Sequence, residues 1–223
     1  MDRFSPLLIL AAIVIVGVWA WDVHTQLAPP PANLSGELRE INGTPLDSVT
    51  AYRENSIHGS PAVEIAAYQL AVGGDVARPL NYSYGQVLGE FSHESRVVTL
   101  SCVEGWDETS LFEGVPVIDL LEASNVSPDA TTVIFAALDG YTTSLPLAVV
   151  RDCRLLLAYR VNNLTLPRSL GYPFILVAED RWGYKWCRWV TGITASTDSK
   201  YRGFWESRGY TNDGAVNRSF FGP

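Results

Sequence analysis

The chain opens on an apolar run from Phe4 to Trp21, broken only by Ser5, Pro6 and Gly17. As a helix at about 1.5 Å per residue it reaches roughly 27 Å, just short of a bilayer core. Arg3 precedes the run, and Asp22 and His24 follow it. Two readings lead for residues 1–21, with a buried core helix as the plain alternative. One is an uncleaved membrane anchor with its N-terminus in the cytoplasm. The other is a signal peptide cut after Ala20, with Val18 and Ala20 as the small residues before the cut. Trp19 and Trp21 suit a membrane interface and favour the anchor. Either reading makes the protein membrane-anchored or exported, with its folded part outside the cytoplasm. Residues 22–36 (DVHTQLAPPPANLSG) are rich in proline and read as an extended linker. The folded domain is expected over 37–223.

From Glu37 to about residue 60 polar positions dominate, with short apolar beats, which predicts a strand and loop. AYQLAVGGDV (67–76) alternates and ends in a Gly-Gly-Asp turn signal. Tyr84 to Leu88 predicts a short helix capped by Ser83. RVVTLSCVEG (96–105) and TTVIFAALDG (131–140) read as buried strands, and VPVIDLLEASNV (115–126) as a short helix. LAVVRDCRLLLAYRVNN (147–163) predicts a helix, then a strand turning at Asn162-Asn163. FILVAEDRWGYKWCRWVTGITAS (174–196) predicts two strands around a Glu-Asp-Arg-Trp-Gly turn. Strands and short helices mix without regular βαβ alternation, so the expected class is α+β.

Composition narrows the function. The net charge is −8, which opposes a general nucleic-acid binder, since such a protein needs a basic surface. Trp182, Trp186 and Trp189 interleave with Arg181, Lys185 and Arg188, but they read as aromatic packing on a strand rather than a single-strand platform. The three histidines, His24, His58 and His93, are too few for a multi-histidine metal centre or a bis-histidine haem. No GxGxxG, P-loop, HExxH or CxxC occurs. Asp107 and Glu108 read as a solvated loop rather than a carboxylate pair for glycoside hydrolysis. Six of nine asparagines begin an Asn-x-Ser/Thr sequon: Asn33, Asn42, Asn81, Asn125, Asn163 and Asn217. The excess fits an exported, glycosylated chain; turn chemistry is the other source of such triplets.

Three cysteines, Cys102, Cys153 and Cys187, leave one unpaired in any disulfide scheme. Three pairings are possible; a Cys153–Cys187 bridge leaves Cys102 free for its own task. A cysteine in a β-rich apolar stretch is ordinarily an inert core residue. Its surroundings alter that reading. Thr99 to Trp106 reads TLSCVEGW, and Glu113-Gly114-Val115-Pro116 and Leu120-Leu121 follow. DGYTTSLPL covers Asp139 to Leu147. Leu156-Leu157-Ala158-Tyr159, Asn162, Leu166-Pro167 and Gly171-Tyr172-Pro173 come next, then Trp182-Gly183-Tyr184-Lys185-Trp186 with Trp189-Val190. Gly203-Phe204-Trp205-Glu206 and Arg208-Gly209-Tyr210 close the series.

This ordered set, over residues 67–212, resembles the oxidoreductase molybdopterin-binding domain family of sulfite oxidases and periplasmic methionine sulfoxide reductases. The resemblance implies a sulfite-oxidase-type fold of mixed sheets and short helices behind one N-terminal hydrophobic helix. It implies a molybdenum-molybdopterin cofactor with Cys102 as metal ligand and catalytic residue; a thiolate is a soft ligand that suits such a metal. It places Lys185 on the pterin phosphate, and Asp139, Thr142, Ser144 and Tyr184 near the cofactor. Asn55 and His58 fall where the family has a loop touching the pterin; a turn and a surface histidine are their plain alternatives. Two departures stand out. The family carries a His or Asn before its G-x-P segment and an Arg after it, and here those positions hold Leu170 and Ile175. Arg168 or Arg181 would have to compensate.

The resemblance also frames the substrate. Sulfite-oxidising members place arginines shortly after the metal cysteine. This chain has Val103-Glu104-Gly105-Trp106-Asp107-Glu108, an acidic and aromatic mouth that repels sulfite. Arg96 and Arg151 are the cations that folding would have to bring in to reverse that. The expected function is oxygen-atom transfer to or from a small S- or N-oxide, with sulfite oxidation a minor alternative. No haem segment is evident, so electrons pass to or from a separate membrane or soluble electron-transfer protein. A twin-arginine export signal, usual for folded molybdoproteins, is not matched by Asp2-Arg3. The rival reading is a non-catalytic envelope module that keeps the fold without cofactor; Leu170 and Ile175 favour it, Cys102 and Lys185 oppose it.

Overall fold

The computed structural model describes residues 34–222. The expected anchor over 1–21 and linker residues 22–33 lie outside them. Among the described residues, no helix is long and apolar enough to cross a membrane.

A two-stranded hairpin, β1 (Glu40–Ile41) with β2 (Thr44–Pro45), opens the domain. It is tied down by Asn162, which is buried and left-handed at φ 46°. That side chain accepts from Leu111 N at 2.9 Å and donates to Asp47 O at 2.7 Å, and its carbonyl accepts from Leu38 N at 2.9 Å. The expected turn at Asn162-Asn163 is therefore also the clamp on the N-terminal segment.

One sheet is built on β5 (Glu94–Ser101), β6 (Asp107–Pro116) and β9 (Leu156–Val161), in the order β10-β9-β6-β5. Here β10 is Leu164–Thr165, and β11 (Ile175–Val177) also pairs with β9. Central β9 is buried nearly throughout, as its continuous apolar run requires. Edge strand β5 instead alternates, burying Val98 and Leu100 while exposing Val97 and Thr99, so the expected fully buried strand is a half-buried one. Asp107 and Glu108, read as loop, begin β6, paired with Ser101 and Leu100. At Gly114 the chain passes so close to β9 that a Cβ would sit 2.5 Å from the Leu157 carbonyl oxygen, where the ladder also shifts register.

The second sheet runs β4 (Leu80–Tyr82), β3 (Leu70–Gly74), β12 (Val190–Ser196), β7 (Thr132–Ala137), β8 (Thr142–Pro146). The β3–β12 pairing is parallel and the others antiparallel. The two strands expected over 174–196 exist, but β11 belongs to the first sheet and β12 to the second, so the segment between them crosses from sheet to sheet. Helix α1 (Tyr84–Glu90) starts at the expected Ser83 cap, with Gln86 closing the reciprocal bond. Helices α2 (Val117–Ala123) and α3 (Leu147–Asp152) each follow a proline and bury their apolar faces. The α+β class and the sulfite-oxidase-type mixture of sheets and short helices are as expected.

No disulfide joins Cys153 to Cys187: all three cysteines are free thiols. The obstacle is position, since Cys187 is wholly buried in the core while Cys153 caps α3 at the surface. Of the described sequon asparagines, Asn42, Asn125 and Asn163 sit at positive φ, where asparagine is itself the favoured turn residue.

Burial holds the phenols of Tyr52, Tyr68, Tyr141 and Tyr159 well above the ordinary range and pushes Tyr184 up to about 12. The same desolvation raises the Cys187 thiol. Unfolded, these groups ionise near about 10 for tyrosine and about 8.5 for cysteine. Between those values and the raised ones the folded state binds more protons, so its stability is full below the window and is lost as pH rises through it. Lys185 and Arg188, both lowered by burial, act in the opposite sense but are outnumbered. The urea midpoint is expected to fall from pH 8 to pH 11, with tyrosinate absorbance from these rings appearing only on unfolding. A midpoint that holds at pH 11 contradicts this.

Candidate functional site

Strand β5 delivers Cys102 one residue past its end. There Cys102 N donates to Trp106 O at 2.9 Å and Gly105 N donates to Cys102 O at 3.0 Å, closing a tight turn before β6. Gly105, at φ 85°, takes the left-handed position that this turn requires. A parallel bridge from Ser101 to Trp182 fixes the strand end against Trp182-Gly183. The thiol of Cys102 is thereby placed on the wall of a cavity of about 450 Å³.

Loop residues Asn55, Ser56 and Ile57 form one side of this cavity, and Val103, Glu104 and Trp106 another. Asp139 and Tyr141 enter from the β7–β8 turn, Tyr184, Trp186 and Arg188 from the crossing segment, and Phe204, Trp205 and Tyr210 from the C-terminal segment. Asp139 ties two of these together. Its carboxylate accepts from Tyr141 N at 3.0 Å and from Ile57 N at 3.4 Å. Glu104 accepts from Asn55 Nδ2 at 3.3 Å and from Trp106 Nε1 at 3.2 Å, which sets the acidic mouth.

Of the residues singled out by sequence, Cys102, Asp139, Tyr184 and Asn55 meet at this cavity. His58 is an exposed loop residue outside its lining. Thr142 and Ser144 lie in β8 and do not line it; the Thr142 carbonyl instead holds Phe204 N at 2.8 Å. Lys185 also stays outside the lining. Its ammonium is wholly buried, donating to Glu206 Oε1 at 2.6 Å and Ser144 O at 2.9 Å. Glu206 also accepts from Thr143 Oγ1 at 2.5 Å.

Leu170 and Ile175 are packed in the hydrophobic core and are absent from the cavity wall. Their apolar character follows from that packing. Neither expected substitute cation lines the cavity: Arg168 donates to Ser60 O and Pro61 O, and Arg181 to Asp180 O. Arg96 is engaged by Glu94, Glu179 and the carbonyls of Cys153 and Arg154, and Arg151 lies at the exposed end of α3.

The cation that does line the cavity is Arg188, which sequence reasoning treated as packing. Its signal was present: it occupies the second basic position of the Lys185-Trp186-Cys187-Arg188-Trp189 stretch. Burial lowers its pKa, against the pull of Glu54, Tyr52, Cys102 and Tyr141. One hydrogen bond, to Ser169 O at 3.3 Å, leaves most of its donors for a ligand. Burial raises the Cys102 thiol, opposed by a hydrogen bond from the Glu104 backbone N–H and by the charges of Arg188 and Arg53. A thiol kept protonated in this way becomes a ligand when a metal displaces its proton. Among the described residues no group of three or more His, Cys, Asp or Glu is placed to hold a metal ion.

One thiol, one guanidinium with free donors and an aromatic wall define a pocket for an anionic cofactor that brings most of a metal's ligands with it. These residues fit a molybdopterin. The oxidoreductase molybdopterin binding domain matches residues 58–205, and the chain belongs to that family: it is an enzyme, a molybdopterin-dependent oxidoreductase. An uncharacterised oxidoreductase, YuiH of Bacillus subtilis (strain 168), is 32% identical over 148 residues, 66% of this chain and 74% of the relative. The protein-methionine-sulfoxide reductase catalytic subunit MsrP of Gluconobacter oxydans is 28% identical over 201 residues, 78% of this chain and 63% of its own length. In fold the chain is similar to the sulfane dehydrogenase SoxCD of Paracoccus pantotrophus, with a TM-score of 0.64 at 23% identity, covering 72% of this chain and 44% of that one.

Proposed function

We propose that this enzyme reduces a small neutral S- or N-oxide, with molybdenum-molybdopterin held by the Cys102 thiolate and electrons drawn from a separate protein. The observation that carries this reading is Cys102 on the cavity wall with Arg188 beside it and Glu104 at the mouth. The cofactor, when bound, supplies the oxygen-atom and electron chemistry. Arg188 offers charge-assisted hydrogen bonds to its anionic groups. Asn55 and Asp139 position the loop and turn that close over it, and the rings of Trp106, Tyr141 and Trp186 exclude water. Membrane anchoring or export, with the domain outside the cytoplasm, is part of the same proposal.

The test is molybdenum and pterin content in protein from cofactor-competent cells, followed by dye-driven reduction of methionine sulfoxide and trimethylamine N-oxide. Stoichiometric metal with turnover is expected; absence of both metal and pterin sinks the reading and leaves a cofactor-free envelope module.

Glu104 decides the substrate charge. Removing one partly screened negative charge at the mouth is worth about 1 kcal/mol to an incoming anion, roughly fivefold in binding. Glu104→Gln keeps an acceptor for Asn55 and Trp106 and is expected to tighten sulfite inhibition by about that factor while leaving the KM for a neutral sulfoxide in place. Equal sulfite inhibition in both proteins counts against an electrostatic mouth.

A further inference from the structure

The charges of this chain are unevenly distributed. Residues 181–223 hold seven Lys or Arg against three Asp or Glu, a surplus of four positive charges in a chain of net charge −8. Two of the basic groups, Lys185 and Arg188, are the buried and cavity-lining ones described above. Lys200, Arg202, Arg208 and Arg218 are all exposed. Three of these are tied to the cavity rim by contact. The Arg208 guanidinium lies 3.6 Å from the centre of the Phe204 ring, and Arg202 donates to the Glu206 carbonyl at 3.3 Å. The Arg218 carbonyl accepts from Trp182 Nε1 at 3.1 Å, next to Gly183 on the cavity wall, while the exposed Arg218 guanidinium pairs with Asp213 at 3.1 Å.

Beneath these charges the wall is aromatic. Tyr210 lines the cavity on one side and meets Phe221 at 4.7 Å between ring centres on the other. Phe221 is 56% exposed, high for a large apolar side chain. Trp205 and Tyr184, both on the cavity, lie 5.1 and 5.0 Å from the same Tyr210 ring. Contacting aromatic rings thus run from the cavity wall to the outer surface, beside the basic groups.

We propose that this basic, aromatic C-terminal rim is the docking surface for an electron-carrier protein with an acidic face. The proposal rests on the reading that electrons arrive from a separate protein. Each S-oxide reduced consumes two electrons and two protons and yields the thioether and water. The carrier supplies the electrons and is oxidised, and solvent supplies the protons. Outside this segment the chain carries a surplus of negative charge, which repels an acidic carrier. Complementary charge at the rim steers such a carrier to a face where contacting aromatic rings lead to the cavity wall, away from the acidic mouth at Glu104.

The experiment compares the wild-type chain with Lys200→Glu/Arg202→Glu/Arg218→Glu, which reverses three exposed charges and leaves the cavity lining intact. The probe is a strongly acidic plant-type ferredoxin, titrated calorimetrically at low and at physiological salt. Binding by the wild type that weakens with salt, and a loss of about tenfold or more in the variant, are expected. Dye-driven sulfoxide reduction, which needs no docking, is expected to be the same in both proteins. Equal ferredoxin affinity in both, or none in the wild type, overturns the docking surface. Tighter wild-type binding to phosphatidylglycerol vesicles than to ferredoxin, lost in the same variant, overturns the partner and makes the rim a membrane face. Failure of dye-driven turnover in the wild type sinks the reductase reading and leaves the binding result standing, so the two failures are separable.

Discussion

Replacing Cys102 with serine is expected to end dye-driven turnover and to take one sulfur out of the molybdenum's ligand set, with the fold and the pterin-borne metal kept. The exchange removes a soft, polarisable sulfur and substitutes a hard alcohol oxygen that is far less acidic than a thiol. Among the described residues no other cluster of His, Cys, Asp or Glu is placed to take over. The stability cost is expected to be smaller than at Cys187, because Cys102, though part of the buried core, also faces a cavity. The other two cysteines make the contrast. Cys187→Ser buries a hydroxyl at a wholly buried position and is expected to lose about 1–3 kcal/mol of stability while retaining metal. Cys153→Ser, at the exposed end of α3, is expected to change neither. Elemental mass spectrometry and urea unfolding of the three variants check this. Unchanged sulfur coordination of molybdenum by X-ray absorption in Cys102→Ser rules out the sulfur as ligand.

Much of this site was legible along the chain because its parts are local. The Ser83 cap and the Asp139-Gly140 turn are each set by a few consecutive residues and form where the pattern puts them, whereas the strand read over 96–105 stops at Ser101 and gives way to a turn at Cys102 to Gly105. What was not legible depends on partners far away in sequence. Strand β12 pairs in parallel with β3, more than a hundred residues earlier, and no local periodicity announces such a neighbour. Glu113 and Gly114 read as the start of a motif rather than the end of a ten-residue strand, because β6 mixes polar and apolar residues. Leu170 and Ile175 looked like lost cofactor contacts; only the assembled core shows them packed inside. Arg188 and Lys185 are the sharpest case. They lie three residues apart with the same charge, and the fold sends one to the cavity and the other to Glu206.

That last difference yields the second large expectation, in the apoprotein. Lys185 and Glu206 are both wholly buried, 2.6 Å apart, and Glu206 Oε2 has no hydrogen-bond partner. A buried pair adds little beyond what two apolar residues contribute, but removing one member strands the other. Lys185→Met and Glu206→Gln are each expected to destabilise the cofactor-free protein, Lys185→Met by about 3–5 kcal/mol. The double variant is expected to cost clearly less than the two together, since neither charge is then left alone. The pair sits where the C-terminal wall is thinnest in tolerance: a Cβ on Gly214 would lie 2.6 Å from Lys185 Cγ, and one on Gly203 would lie 2.8 Å from Glu206 Oε2. Loosening it therefore frees Phe204, Trp205 and Tyr210, and tryptophan fluorescence and near-ultraviolet dichroism are expected to change in the native baseline of Lys185→Met. A lysine serving only as a phosphate contact gives a different outcome. Its loss would leave the apoprotein as stable as before, with unchanged spectra, and would appear solely as lost pterin. Urea unfolding of the four apoproteins therefore decides whether Lys185 is a strut of the cavity wall or a ligand to what the cavity holds.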